Sequence, residues 1–192
     1  MAKLLITHNR EKLFHLITFF VKNTHNCGKT KLFKLLYYAD FRHVKETGKS
    51  ITGLKYFAWD NGPVPKELFY EMKKPREDFK KFFGIFQLPN DEYTILKIIS
   101  KEKFNEEIFT KREMKIIEEL AEIFGPVPAN MMVKCTHLQN NPWDIIYNKG
   151  AGRGNYIDYI LALDKSKDSI TEEEYKEKQN ELEVLQSLSD EE

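Results

Sequence analysis

The 192-residue sequence predicts a mainly α (α+β) fold, a compact helical domain with a small antiparallel β-sheet or hairpin. Three observations carry that expectation. Apolar residues recur at i, i+3, i+4 and i+7 through several long segments, the period of a helix face. Aromatic and β-branched residues gather in short runs bounded by Pro, Asn, Asp and Gly, as strands do. Two Thr-x-x-Glu boxes, Thr110 with Glu113 and Thr171 with Glu174, mark helix starts.

The elements follow in order. Asn9 can cap a helix running through Val21, with Leu13, Leu16, Ile17 and Phe20 on one face. In a second helix Leu32, Leu35, Leu36, Ala39 and His43 share a core face. Lys31, Lys34, Asp40, Arg42 and Lys45 occupy much of the remainder, which reads as wet. Gly48 stands where a left-handed residue closes the last turn. Ile51, Leu54, Tyr56, Phe57 and Trp59 then supply a strand, Asp60-Asn61-Gly62-Pro63 a turn, and Pro65 the start of a helix through Lys66–Lys74. Phe82–Leu88 and Tyr93–Ile99 read as a hairpin around Pro89-Asn90-Asp91-Glu92.

Thr110 opens a helix to Phe124 that Gly125-Pro126 ends. Pro128 starts another, through Cys135 or His137. Gly150–Gly154 is a loop before a last core segment, Tyr156–Leu163. From Glu172 to Gln186 a final helix spaces Leu182, Leu185 and Leu188 on one face, and Asp190-Glu191-Glu192 is expected to fray.

The length suits one domain, 1–164, with an acidic C-terminal helix and tail, 165–192. A chain of this size buries roughly 70% of its unfolded surface. Thirty basic residues balance thirty acidic ones, so nothing global suggests nucleic acid or a membrane surface. Locally the balance breaks. Residues 165–192 hold ten acidic and four basic residues, leaving the rest of the chain net positive. That tail reads as a solvated helix, or as a docking element for a basic partner or for the protein's own basic surface. The two cysteines, Cys27 and Cys135, have neither metal-ligand nor redox spacing and read as reduced thiols. No stretch reaches a membrane-spanning length of about 18 apolar residues, nor is there a signal-peptide core. A cytoplasmic protein is expected.

Several apparent sites fail on inspection. Gly28-Lys29-Thr30 ends like a phosphate-binding loop, but that loop needs Gly where Asn23 stands and a strand before it. Gly150-x-Gly152-x-Gly154 is too closely spaced for a dinucleotide fingerprint. Cys135 and His137 are a nucleophile and a base, yet two residues apart on a helix they point about 200° away from each other. His137 is expected to hydrogen-bond across the core instead. His8, His15, His25 and His43 share no ligand spacing with carboxylates or cysteines. No catalytic residue, metal or cofactor is expected.

At Lys31-Leu32, Lys34-Leu35-Leu36-Tyr37, Asp40, and Ala58-Trp59-Asp60-Asn61-Gly62-Pro63-Val64-Pro65 the chain resembles the Panacea domain of SocA-like antitoxins. His137 with Pro142-Trp143 is similar to that family's second signature. The resemblance spans about residues 9–163. Where the family often carries Ser before the His, this chain has Cys135-Thr136. Such proteins, long catalogued as a domain of unknown function, are frequent in phage-associated bacterial genes. The resemblance implies a two-gene pair in which the antitoxin neutralises a cognate protein toxin by direct binding. The domain then carries recognition and no chemistry. An adaptor handing the toxin to an energy-dependent protease, and a small enzyme acting through Cys135 or His137, are the alternatives.

Aromatic residues are the candidate contacts. Trp59 and Trp143 either fill the core while each N–H finds an acceptor, or anchor a partner. Tyr37, Tyr38 and Phe41 pose the same choice, since a helix with apolar residues on more than one face buries both or offers one to a partner. With Arg42 and Lys45 they form the expected partner-binding stretch, and the acidic tail is the other.

Overall fold

The computed structural model describes residues 2–88 and 95–190. It is an α+β fold in which, among the described residues, eight α-helices accompany a three-stranded sheet and a separate hairpin. The first helix, α1 (Ala2–Asn23), starts well before Asn9, because helix formers upstream carry the ladder through that residue. The second, α2 (Lys29–Thr47), ends as the sequence predicts, with Gly48 at φ +79° and its N–H on the Val44 carbonyl.

The predicted strand shortens to β1 (Tyr56–Trp59), with Ile51 and Leu54 buried in the irregular approach to it. Gly62–Pro65, expected as part of a turn and a helix start, is a strand of its own, β2. The turn is only Asp60-Asn61, because Trp59 pairs with Gly62 and Tyr56 with Pro65. Two prolines are tolerated there because β2 is an edge strand in the order β2-β1-β5. Opposite Pro63, Ala58 turns its N–H and C=O the other way, to Asn155 and Gly154 beside β5 (Tyr156–Ile157). The missing proline N–H therefore costs the ladder nothing.

Short helices α3 (Lys66–Lys73) and α4 (Glu77–Phe82) lead to the hairpin β3 (Phe83–Leu88) and β4 (Ile95–Ser100). Its antiparallel pairing matches the sequence expectation, while the Pro89–Glu92 turn lies outside the described residues. Helix α5 (Lys111–Phe124) opens on the complete Thr110–Glu113 capping box. It is followed by α6 (Ala129–Thr136) and α7 (Pro142–Tyr147), and a 3-10 turn, Tyr159–Ala162, follows β5.

The last helix, α8 (Glu172–Asp190), is tied down at its start. Ile170 N–H reaches the Lys45 carbonyl, Gln179 Nε2 reaches Gly48, and Tyr175 is buried. Farther along, Val184, Leu185 and Leu188 are exposed. Among the described residues no helix is long and apolar enough to cross a membrane.

The centre of the molecule is α2, packed against α1, α5, α6, β2 and the Tyr159–Ala162 turn. That enclosure corrects the expectation of a wet face. Lys31 and Lys34 are 1% exposed and Asp40 is 0% exposed. Each of the three has found partners inside. Lys31 Nζ donates to the carbonyls of His25 and Gly125, tying the α1–α2 loop to the end of α5. Asp40 accepts from the N–H groups of Ile51 and Thr52 and from the hydroxyls of Thr52 and Tyr56. Its one carboxylate thus organises the whole approach to β1.

Candidate functional site

Apart from Lys31 and Asp40, whose partners are described above, the residues that carry the resemblance gather around the corner where α2, the β1–β2 hairpin, α6 and α7 meet. Leu32, Leu35 and Leu36 are 0% exposed and belong to the core, and Val64 joins them from β2. Trp143 is buried and donates Nε1–H to the Trp59 carbonyl at 3.0 Å, so it fills the core with its N–H satisfied. His137 lies flat on it, ring centroids 3.7 Å apart and 3° from parallel, and Tyr147 stacks at 4.4 Å. Among the described residues the expected cross-core hydrogen bond of His137 is not formed: its Nε2 is buried without a partner there, as is the Tyr37 hydroxyl. Stacking positions this imidazole, and burial beside the Lys34 cation pushes its pKa down. It is therefore a neutral ring at pH 7.

Gly62 has a stereochemical reason to be glycine. Its φ is +93°, and a Cβ there would sit 2.7 Å from Thr136 Oγ1 and 2.8 Å from Lys34 Nζ. Thr136, where the resemblance led one to expect Ser, thus lies against the hairpin turn and donates its hydroxyl to the Val133 carbonyl. Gly62→Ala is expected to cost about 3 kcal/mol, combining backbone strain with a clash. Gly53→Ala, also at positive φ but with nothing nearer than 3.6 Å, should cost about 1 kcal/mol. Urea unfolding of the two variants measures the difference.

Lys34 is the unusual group here. Its ammonium donates to the Pro63 carbonyl at 2.9 Å, the outward edge acceptor of β2. No carboxylate among the described residues pairs with it. Burial alone pushes its pKa down to about 7.

Beside Lys34 opens a groove of about 500 Å³ between α2, the Asp60-Asn61 turn, α3 and the Arg153-Gly154 loop. Half-buried Trp59 and Phe69 form an aromatic wall, their centroids 4.8 Å apart. Lys29 and Lys73 hold their ammonium groups 4.7 Å and 4.5 Å from the Phe69 centroid. Burial, and then repulsion from Lys73, pushes the Lys29 pKa down. Arg153 pairs with Asp60 at 2.9 Å, and Tyr147 donates its hydroxyl to the same carboxylate. Sequence reasoning did not single out Phe69, Lys73 or Arg153 and met Lys29 only in a rejected phosphate-loop motif, because no spacing along the chain joins these three segments.

The expected partner stretch lies elsewhere and is largely enclosed. Tyr37 and Phe41 are 3% and 5% exposed, their rings tilted against each other at 4.2 Å and both edge-on to Tyr56. Tyr38 stacks on Phe124. Arg42 pairs with Glu46 and Glu119, and Lys45 with Asp164. The helix therefore buries most of both apolar faces, and of this stretch Tyr38, Arg42 and Lys45 stay partly exposed.

Nothing here assembles a nucleophile with a base. Cys135 and His137 are at the end of α6, with the imidazole committed to Trp143. Cys27 is buried, which pushes its thiol up to about 11 and makes it a poor nucleophile. Among the described residues no group of three or more His, Cys, Asp or Glu is placed to hold a metal ion.

Comparison with known proteins gives one finding. Residues 32–144 match the family model described as Antitoxin SocA-like, Panacea domain, from α2 to the start of α7, with Lys31 just before the match. Neither the curated proteins nor the solved structures contain a match to the chain.

Proposed function

The chain belongs to the family of SocA-like antitoxins with a Panacea domain, and on that basis we propose that it neutralises a cognate protein toxin by binding it directly. The family match carries this reading. The geometry agrees with it. Signature residues go into a rigid corner with no arrangement for bond-making chemistry, and beside that corner lies an aromatic, cationic groove. Lys34 keeps an amine in the core, with its pKa pushed down to about 7 and no counter-ion among the described residues, which a recognition surface can use and a purely structural corner does not need.

Expression of the neighbouring gene tests the proposal. Its product alone should arrest growth, and growth should return when this chain is co-expressed. The two proteins should then leave a size-exclusion column together, with the toxin at undiminished cellular levels. Loss of the toxin through an energy-dependent protease would favour an adaptor. Arrest in both conditions would remove the antitoxin reading for that pair.

A further inference from the structure

Asp60 is the one carboxylate that lines the groove among the described residues, and it is already held by Arg153 and Tyr147. The remaining charge there is positive and unanswered. Lys34 has three N–H donors and one acceptor, the Pro63 carbonyl. Lys29 lines the groove, Lys73 stands just outside it over the same Phe69 ring, and neither has an acidic partner among the described residues. The start of α2 adds to this. Its first turn, Lys29-Thr30-Lys31, has no capping side chain and no acidic residue, although the helix dipole favours negative charge there.

A site that is cationic at its floor and aromatic on its wall is complementary to a carboxylate flanked by apolar side chains. Its volume is sufficient for a few side chains. Trp59 is held at the rim by the tight hairpin, which makes it a preorganised anchor.

We propose that this groove is the toxin-docking site and that it takes an acidic segment of the toxin. A carboxylate of that segment lies against Lys34 and Lys29 at the N-terminus of α2, while an adjacent apolar residue packs on Trp59 and Phe69. The inference rests on the antitoxin reading and adds to it a surface and a partner chemistry. It also moves recognition from the Tyr37–Lys45 stretch to the opposite end of the same helix.

Calorimetric titration of the full chain with the purified product of the neighbouring gene tests it. Lys34→Met and the double variant Lys29→Glu, Lys73→Glu should each weaken binding by about 30-fold or more at low salt. The double variant Lys103→Glu, Lys167→Glu makes the same change in net charge away from the groove and should alter affinity by less than about 3-fold. Circular dichroism establishes that each variant is folded. If the groove variants bind like wild type, or both double variants lose affinity equally, the groove assignment is wrong. The same holds if the groove variants lose only binding to a single-stranded oligonucleotide, which would make the site one for nucleic acid. A wild-type chain that binds nothing overturns the antitoxin reading itself, and the docking site with it.

Discussion

Replacing Asp40 with Ala should destabilise the protein by about 4 kcal/mol, the largest effect expected of any single side chain here. The carboxylate is 0% exposed and accepts four hydrogen bonds, from the Ile51 and Thr52 amides and the Thr52 and Tyr56 hydroxyls. Alanine leaves all four donors buried and unanswered, and much of a stability of roughly 5–15 kcal/mol would go with them. Asp40→Asn keeps an oxygen for the two amides and turns an NH₂ toward hydroxyls that can rotate to accept. It should cost about 1–2 kcal/mol.

The two variants also differ with pH. Burial pushes the Asp40 carboxyl up to about 6 from an ordinary 3.8, against the opposing pull of its four donors. Between those values the folded state binds more protons than the unfolded one, so this group's contribution to stability falls as pH rises. It is full below pH 4 and spent above pH 6. Asn does not titrate. The stability difference between wild type and Asp40→Asn should therefore shift by up to about 3 kcal/mol in the variant's favour between pH 4 and pH 7, enough to reverse its sign. Urea midpoints at both pH values measure it, and a gap that stays constant would show that Asp40 does not titrate in that window.

Lys34→Met should do the reverse and stabilise the protein. An unfolded chain holds the Lys34 proton up to about 10.5, whereas the folded chain releases it at about 7. Between those values the unfolded state binds more protons, so wild-type stability rises with pH as the cost of the buried cation disappears. That cost is full below pH 7 and gone above about 10.5. The groups facing Lys34 are the neutral His137 ring, Thr136 and the Pro63 carbonyl, and none offsets it.

Met fills a similar volume without a charge but leaves the Pro63 edge carbonyl without its donor, at a cost of about 1 kcal/mol. A net gain of about 3 kcal/mol at pH 6, fading by pH 10, is the expected result. An equal destabilisation at both pH values would mean that the ammonium is a structural strut. Under the docking inference the same substitution makes a more stable protein and a poorer binder. A lysine that costs stability and is kept for a partner should behave in that way.

How far the sequence could be read follows from the same residues. Helix starts with an explicit chemical cap, such as Thr110 with Glu113, were legible to the residue, because the signal is local. So was the end of α2 at Gly48. The β1–β2 hairpin was half legible. Two prolines argue against a strand, and only the position of β2 at the sheet edge, which is not local information, removes the objection.

The buried charges were misread because periodicity assigns a charged residue to the outside. Phe33, Tyr37, Phe41 and Val44 stand off the predicted core face, which leaves open whether that second face is buried or offered to a partner, and only the packing of the other elements around α2 decides it. The groove itself was not legible. Lys29, Phe69 and Arg153 meet through the packing of α2, α3 and a glycine loop, and no spacing along the chain encodes that meeting.

Hydrogen–deuterium exchange of the chain with and without the neighbouring gene's product tests the central claim most directly. The first-turn amides of α2 lack intrahelical partners, and Asp60 and Asn61 lie in the turn outside the strand ladder, so these sites are expected to exchange quickly in the free protein. Binding of a toxin segment in the groove should slow exchange there and leave the Tyr37–Lys45 end of α2 unchanged. Protection elsewhere with these amides untouched, or no protection at any position, would contradict the account.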